Sequence, residues 1–235
     1  MKIDRCAVYI DGLNLYNSAL RGSTSRWLDL EKFAQTIVAP DQLVSVMYVT
    51  GRLNADDASD RESPKRQRVY LKALSARGGV EVVAHNFVVP TEPRVVSRGG
   101  SWHDRTDPPL PPALASELDD IDEAAGMERR VRVRLPEEKM TDVALAVAMV
   151  NDFHLGQCDR TVLIANDADY QPALVALADQ GQRIEVISPA TNVNKKLRDP
   201  RWTSAILDLN VLQRCELPDS FVVGGTTFER PTYWR

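Results

Sequence analysis

Short apolar runs alternate with helical segments along this chain, and this alternation restricts the fold more than any other feature. The runs are rich in β-branched residues and occupy 6–10 (CAVYI), 43–49, 80–89, 161–165 and 183–187. Between them, 64–77 and 172–180 read as helices, with a proline in the first turn and glycine at the end. Strands that alternate with helices predict a parallel sheet covered by helices, that is, an α/β fold.

Composition narrows the class of protein further. The 235 residues carry 29 Lys and Arg against 33 Asp and Glu, which gives a formal net charge of −4. No run reaches the roughly 18 apolar residues of a membrane span, and no signal peptide is evident, so we expect a cytoplasmic protein without membrane contact. Cys6, Cys158 and Cys215 have no metal-binding spacing and read as reduced, buried side chains.

One segment interrupts the alternating pattern. Residues 97–130 contain four prolines within five positions, followed by an acidic run at 117–123, and we interpret them as an insertion. The acidic run is typical of a solvated helix face, and a flap that repels polyanions is the sharper alternative. We therefore expect one domain over 1–212, interrupted at about 97–130, with 213–235 as a strap or hairpin packed on it.

Carboxylates stand at the ends of three predicted core elements. Asp11 follows the first strand and has Asn14 one turn later, and Asp167 and Asp169 follow the strand at 161–165. Asp142 begins a segment that is apolar on every side from 143 to 150, which predicts a helix buried all round. Because ligands gather at the carboxyl ends of parallel strands, we expect Asp11, Asp142 and Asp167 to converge.

Converging carboxylates repel one another, and an oxygen-seeking divalent ion cancels that repulsion. The all-oxygen environment favours Mg²⁺ or Mn²⁺ over zinc, which prefers His or Cys. Taken singly, each acid has a plainer interpretation: a turn residue for Asp11 and a helix cap for Asp142 or Asp169. Their joint position favours a metal site, at which the ion would activate water and orient a phosphodiester.

The motifs DGLNLY, KMTDVALAVAMV and LIANDADYQPAL, in this order, resemble the NYN domain, a branch of the PIN-like metal-dependent ribonucleases. The resemblance covers about 6–90 and 131–210. It implies a three-layer α/β/α sandwich, a mostly parallel sheet of order 3-2-1-4-5, and cleavage of RNA with Mg²⁺ or Mn²⁺. It makes Asp11, Asp142 and Asp167 the metal ligands, Asp169 a further acid and Asn14 a positioning residue. Ala165 departs from the family, which usually has serine there.

Basic residues that are candidates for RNA binding are clustered in two places. Residues 61–77 include Lys65, Arg66 and Arg68, and a later patch includes Lys195 and Lys196 with Trp202 beside it. The plainer interpretations are the solvated face of a helix for the first patch and a basic loop with a core tryptophan for the second. Lys139, three residues before Asp142, is a further candidate for contact with the scissile phosphate.

Two other functions remain open at this stage. The missing hydroxyl at Ala165 is compatible with a catalytically weak or inactive RNA- or protein-binding module on the same fold. The DxD formed by Asp167 and Asp169 also occurs in Toprim-like enzymes, but these expect a glutamate after the first strand, where this chain has Asp11. The sequence leaves a homodimer open and does not identify the RNA.

Overall fold

The computed structural model describes residues 3–53, 60–86, 91–96, 129–134 and 140–234, with the backbone alone for 91–96 and 129–134. The strands in this part of the chain are β1 (Arg5–Asp11), β2 (Gln42–Arg52), β3 (Glu81–Asn86), β4 (Thr91–Val96), β5 (Arg129–Arg134), β6 (Arg160–Ile164), β7 (Arg183–Ser188), β8 (Thr203–Ile206), β9 (Ser220–Val223) and β10 (Thr226–Glu229). The insertion predicted at 97–130 lies outside the described residues except for its last two, which belong to β5.

The α-helices in the same ranges are α1 (Gly12–Leu15), α2 (Leu30–Val38), α3 (Ser63–Arg77), α4 (Thr141–His154), α5 (Gln171–Asp179) and α6 (Leu209–Arg214). A π-helical turn, Tyr16–Leu20, continues α1, and short 3₁₀ turns occupy Ala168–Tyr170, Lys195–Leu197 and Thr232–Trp234. No helix among the described residues is long and apolar enough to cross a membrane.

The central sheet has the strand order β3-β2-β1-β6-β7-β8, and its neighbouring strands all pair in parallel. Numbered within the sheet, this order is 3-2-1-4-5-6. It confirms the predicted three-layer α/β architecture of the PIN-like kind and adds β8 as a sixth strand at one edge. Strands β4 and β5 form a separate antiparallel ribbon.

Alternate side chains of the sheet enter two hydrophobic clusters. Val8 and Ile10 of β1 belong to the cluster shared with α2, α3 and α6, whereas Ala7 and Tyr9 belong to the one shared with α4 and α5. The alternation follows from the two-residue period of a strand, and burial on both faces explains why the strands are apolar runs. The three cysteines are free and buried, as expected.

Helix α4 differs from the sequence prediction. Leu145 and Met149 are fully buried, but Val143 and Val147 are 65% and 61% exposed. The prediction of a helix buried all round is therefore wrong, because only one stripe of α4 packs on the sheet. Residues 143–150 of α4 are all small or apolar, so the sequence has no polar stripe that would mark the exposed face of the helix.

The last described elements form a hairpin, β9 and β10, that packs on the cluster beside α3. Phe221 and Phe228 stack with ring centroids 5.5 Å apart, and Trp234 packs between Trp27 and Tyr70.

Candidate functional site

Asp11 is the last residue of β1 and the N-cap of α1. It is 4% exposed, and its Oδ1 accepts a hydrogen bond from the Asn14 amide at 2.9 Å. The turn is tight: a Cβ on Gly12 would stand 2.6 Å from Tyr48 Cζ and 2.8 Å from Thr50 Cβ. Only glycine fits between these side chains without a shift, so the Asp-Gly pair fixes where the carboxylate points.

Tyr170 joins two of the predicted acids. Its buried hydroxyl donates to Asp11 Oδ2 at 3.2 Å, and the Asp142 carboxyl lies near the same hydroxyl. Burial, and then the charges of Asp11 and Asp142, raise the pKa of the Tyr170 hydroxyl far above its usual range, so the group stays protonated. A tyrosine hydroxyl has one proton and satisfies one carboxylate at a time, so negative charge remains at this edge.

Asp142 lies in the first turn of α4 and faces the other acids. Burial raises the pKa of its carboxyl, and the negative charges of Asp167 and Asp169 raise it further, against the hydrogen bond from Tyr170. Asp142 is not the N-cap of α4: that position is Met140, which has a left-handed backbone with φ of 88°. The plainer interpretation of Asp142 as a cap is therefore excluded.

Asp167 lies three residues after the end of β6, the strand that pairs with β1. Its Oδ1 accepts from the Asp169 amide at 3.0 Å and so caps the 3₁₀ turn. Asp169 is exposed and does not cap α5, whose N-cap is Tyr170. The structure thus places the four predicted acids at one edge of the sheet, and two of them, Asp11 and Asp167, also cap a turn.

The four acids lie near one another, but their side chains are not arranged as a set of metal ligands. Within the described ranges, no group of three or more His, Cys, Asp or Glu side chains is placed to hold a metal ion. The donor chemistry nevertheless suits a hard divalent ion: the groups are carboxylates, and no described Lys or Arg pairs with Asp142, Asp167 or Asp169. The ligand set of Asp11, Asp142 and Asp167 stays a prediction.

Three asparagines connect this edge to a basic turn. Asn14 Oδ1 accepts from the Asn166 amide at 3.0 Å, and Asn166 Oδ1 accepts from the Asn194 amide at 2.7 Å. Asn194 in turn caps the 3₁₀ turn that carries Lys195 and Lys196, both exposed. Asn14 therefore joins the end of β1 to Asn166, the residue before Asp167, and the Asn166 side chain is hydrogen-bonded to the turn of the two lysines. The positioning role of Asn14 stays a prediction.

The predicted RNA-binding residues have different surroundings. Arg66 is largely buried: it pairs with Asp60, contacts Ser63 Oγ at 2.9 Å and lies over the Tyr233 ring at 4.7 Å. Lys65 pairs with Glu62 at 3.4 Å on the surface.

Arg68 is exposed and has no ion pair among the described residues. Trp202 is buried and donates to the Leu197 carbonyl at 2.8 Å, which confirms it as a core residue. Lys139 lies outside the described residues.

Sequence reasoning missed Tyr170 and the amide chain. Tyr170 reads as part of an apolar helix start, and its contact with Asp11 spans 159 residues of sequence. Asn166 stands next to Ala165, which is fully buried where the family usually has serine. The position of Asn166 between a strand end and Asp167 was the one available signal.

The strand order and this carboxylate-lined edge define a three-layer α/β protein whose architecture resembles the PIN-like class. Residues 100–201 match the family model of the NYN domain, and this match supports the resemblance found in the sequence motifs. The chain is also 27% identical to 6-hydroxy-3-succinoylpyridine 3-monooxygenase HspA from Pseudomonas putida (strain DSM 28022 / S16), over 98% of this chain and 75% of that protein.

Among solved structures, the chain is similar to a protein of unknown function from Vibrio parahaemolyticus RIMD 2210633. That likeness has a TM-score of 0.42 and 18% sequence identity, and it covers 88% of this chain and 97% of the other. The assignment of the fold therefore rests on the strand order and on the family match.

Proposed function

We propose that this protein is a metal-dependent endoribonuclease that uses Mg²⁺ or Mn²⁺ to hydrolyse RNA phosphodiester bonds. The observation that carries the proposal is the group of Asp11, Asp142, Asp167 and Asp169 at one edge of the sheet, with no described cation paired to the last three. The NYN family match and the order of the motifs support the same reading.

Asp11, Asp142 and Asp167 are the residues that would hold the ion. When bound, a divalent ion at carboxylates activates water and stabilises the charge that develops on the phosphoryl oxygens. The chain itself supplies the positioning: the α1 N-terminus and Tyr170 fix Asp11, and Asn14 ties the end of β6 to the end of β1.

Substrate binding has a separate candidate group. Lys195 and Lys196 are exposed on a turn that Asn194 caps, and Asn194 is hydrogen-bonded to Asn166, the residue before Asp167. Their charges would attract the RNA backbone and partly offset its repulsion by the carboxylates. In this proposal the acids bind the metal ion, and the two lysines, on a separate turn, bind phosphate.

The test is a nuclease assay on single-stranded RNA with Mn²⁺, Mg²⁺ or EDTA. We expect cleavage by the wild type with either ion, and a loss of at least about 100-fold in Asp11→Asn and Asp167→Asn, because each removes a charged ligand. Asp179→Asn is the matched control: Asp179 is an exposed carboxylate whose partner Arg201 keeps its pair with Asp199. Equal cleavage by all three variants would refute the site.

A second candidate function follows from the similarity to the Pseudomonas monooxygenase, which extends over nearly the whole chain. On this reading the protein would be a monooxygenase that places one oxygen atom of O₂ on a hydroxypyridine, while two electrons from an added reductant convert the other oxygen atom to water. Oxygen uptake that depends on 6-hydroxy-3-succinoylpyridine, together with an absence of RNA cleavage, would favour it. RNA binding without cleavage or oxygen uptake would favour the non-catalytic binding module.

A further inference from the structure

A groove of about 810 Å³ lies between α3, the edge strand β3 and the C-terminal hairpin. Arg52, Arg68 and Lys72 line it and are exposed, and none of the three forms an ion pair within the described part of the chain. Arg68 and Lys72 are four residues apart on α3 and therefore share one face of the helix. None of the described residues that line the groove is acidic, so its three charges act together.

Part of the groove lining is apolar. Leu71, Val82 and Phe228 line it, and Phe228 is partly exposed while its ring stacks on Phe221. A row of cations beside an accessible aromatic ring matches the way proteins hold single-stranded nucleic acid, with phosphates on the charges and a base on the ring. A free phosphate or small anion would use the cations but not the ring.

Gln67 fixes the position of Arg52. Its Nε2 donates to the Gly51 carbonyl at 2.8 Å, and its Oε1 accepts from the Leu53 amide at 2.9 Å. Both ends of the side-chain amide are thus used to hold the end of β2 against α3. This contact sets the Arg52 side chain on the same groove as Arg68 and Lys72.

The groove opens at the edge of the sheet that also carries the acids. Arg52 and Asn86, the last residues of β2 and β3, line the groove, and Asp11 is the last residue of β1. Neighbouring strands are about 4.8 Å apart, so β3 is separated from β1 by roughly 10 Å across the sheet. One extended strand of RNA is long enough to reach from the acids to the groove.

We propose that this groove holds the backbone of single-stranded RNA beside the cleavage site, with Arg52, Arg68 and Lys72 on phosphates and Phe228 under a base. The inference rests on the proposed function in taking RNA as the ligand. It adds a second binding surface, about two strands from the acids and distinct from the turn of Lys195 and Lys196.

The test measures RNA binding without cleavage. Fluorescence anisotropy of a short labelled single-stranded RNA is recorded in EDTA, over a series of salt concentrations. We expect Arg68→Gln/Lys72→Gln to bind the RNA at least about tenfold more weakly than the wild type. We also expect the slope of log K against log salt to become shallower by about 1.4, since each lost phosphate contact contributes about 0.7. A change that only disturbed folding would not alter the salt dependence.

The matched control is Lys32→Gln/Arg214→Gln, which also removes two exposed positive charges but none from the groove. We expect its affinity and slope to equal those of the wild type. Phe228→Leu keeps an apolar side chain and removes the ring, and we expect it to weaken RNA binding severalfold with no change in the salt slope.

The outcomes separate this inference from the proposed function. Wild-type affinity and salt slope in Arg68→Gln/Lys72→Gln would overturn the inference, even if Asp11→Asn abolished cleavage. Groove-dependent binding by a wild-type protein that never cleaves RNA would support the inference and refute the ribonuclease. If inorganic phosphate alone weakens RNA binding and Phe228→Leu has no effect on it, the inference is also overturned, because the groove would then be a simple anion site.

Discussion

The Tyr170 hydroxyl donates to Asp11 Oδ2 at 3.2 Å and joins the end of β1 to the 3₁₀ turn after β6. The Asp142 carboxyl at the start of α4 lies close enough to this hydroxyl to raise its pKa. The buried Tyr170 hydroxyl thus lies near acids from two different elements, and Asp167 and Asp169 precede it in the chain. The relationship makes Tyr170 a positioning residue whose loss should affect the site more than the fold.

We predict that Tyr170→Phe lowers RNA cleavage by about 10- to 100-fold and destabilises the protein by about 1 kcal/mol, the usual net worth of one hydrogen bond. Tyr9→Phe is the control, because the Tyr9 hydroxyl donates to Asp152 at 2.6 Å, away from the acids. Urea unfolding should show similar losses of stability in the two variants. Initial cleavage rates, measured in parallel, should differ between them. Equal rates in the two variants would remove Tyr170 from the site.

We predict that Gly12→Ala destabilises the protein by about 1–3 kcal/mol, because the new methyl group collides with Tyr48 and Thr50. Tyr48→Leu lacks the Cζ and hydroxyl atoms that approach Gly12, so part of the loss should be recovered when both changes are combined. A double-mutant cycle of unfolding free energies measures this coupling. Strict additivity would mean that the collision with Tyr48 is not the cause.

We predict that Asp142→Asn is more stable than the wild type at neutral pH in the absence of divalent metal. The folded protein raises the pKa of this carboxyl through burial and the charges of Asp167 and Asp169. The folded state therefore binds the proton more tightly than the unfolded chain does, and the resulting destabilisation grows as the pH rises through the raised pKa. This destabilisation is absent at pH values below the ordinary pKa of a carboxyl group.

Urea unfolding in EDTA at several pH values tests this sign. The advantage of Asp142→Asn should shrink as the solution is acidified, whereas Asp179→Asn, which loses an ion pair with Arg201, should show no advantage at neutral pH. Added Mn²⁺ should stabilise the wild type more than Asp142→Asn, because the ion is expected to use that carboxylate. A lower stability of Asp142→Asn than of the wild type in EDTA at neutral pH would contradict the prediction.

We predict that Asn166→Ala loosens the turn of Lys195 and Lys196. The change removes the acceptor of the Asn194 amide, a 2.7 Å hydrogen bond, and should cost about 1 kcal/mol. Hydrogen exchange followed by mass spectrometry should show faster exchange over 192–197, and RNA binding should weaken. Asn210→Ala, whose side chain contacts only its neighbour Asp208 among the described residues, is the control and should leave that exchange unchanged.

The sequence was informative where one rule of local structure was sufficient. The alternation of apolar runs and helices predicted the parallel sheet, in which β1, which ends at Asp11, and β6, which ends shortly before Asp167, are neighbours. Prediction from the sequence failed where tertiary contacts decide whether a side chain is buried or paired. Val143 and Val147 look like core residues but are exposed, and Arg66 looks like a free cation but is held by Asp60 and Tyr233.

The pairing of β1 with β6 also has a consequence for how the chain folds. Cys6 stands opposite Arg160 in this ladder, so the centre of the sheet joins segments that are far apart in sequence. Closing so large a loop costs entropy before any contact repays it, and parallel pairings of this kind form slowly. Asp11 and Asp167 become neighbours only when that pairing is complete. A partly folded chain therefore has no assembled acidic edge, and any activity of this edge should appear in step with the slowest phase of folding.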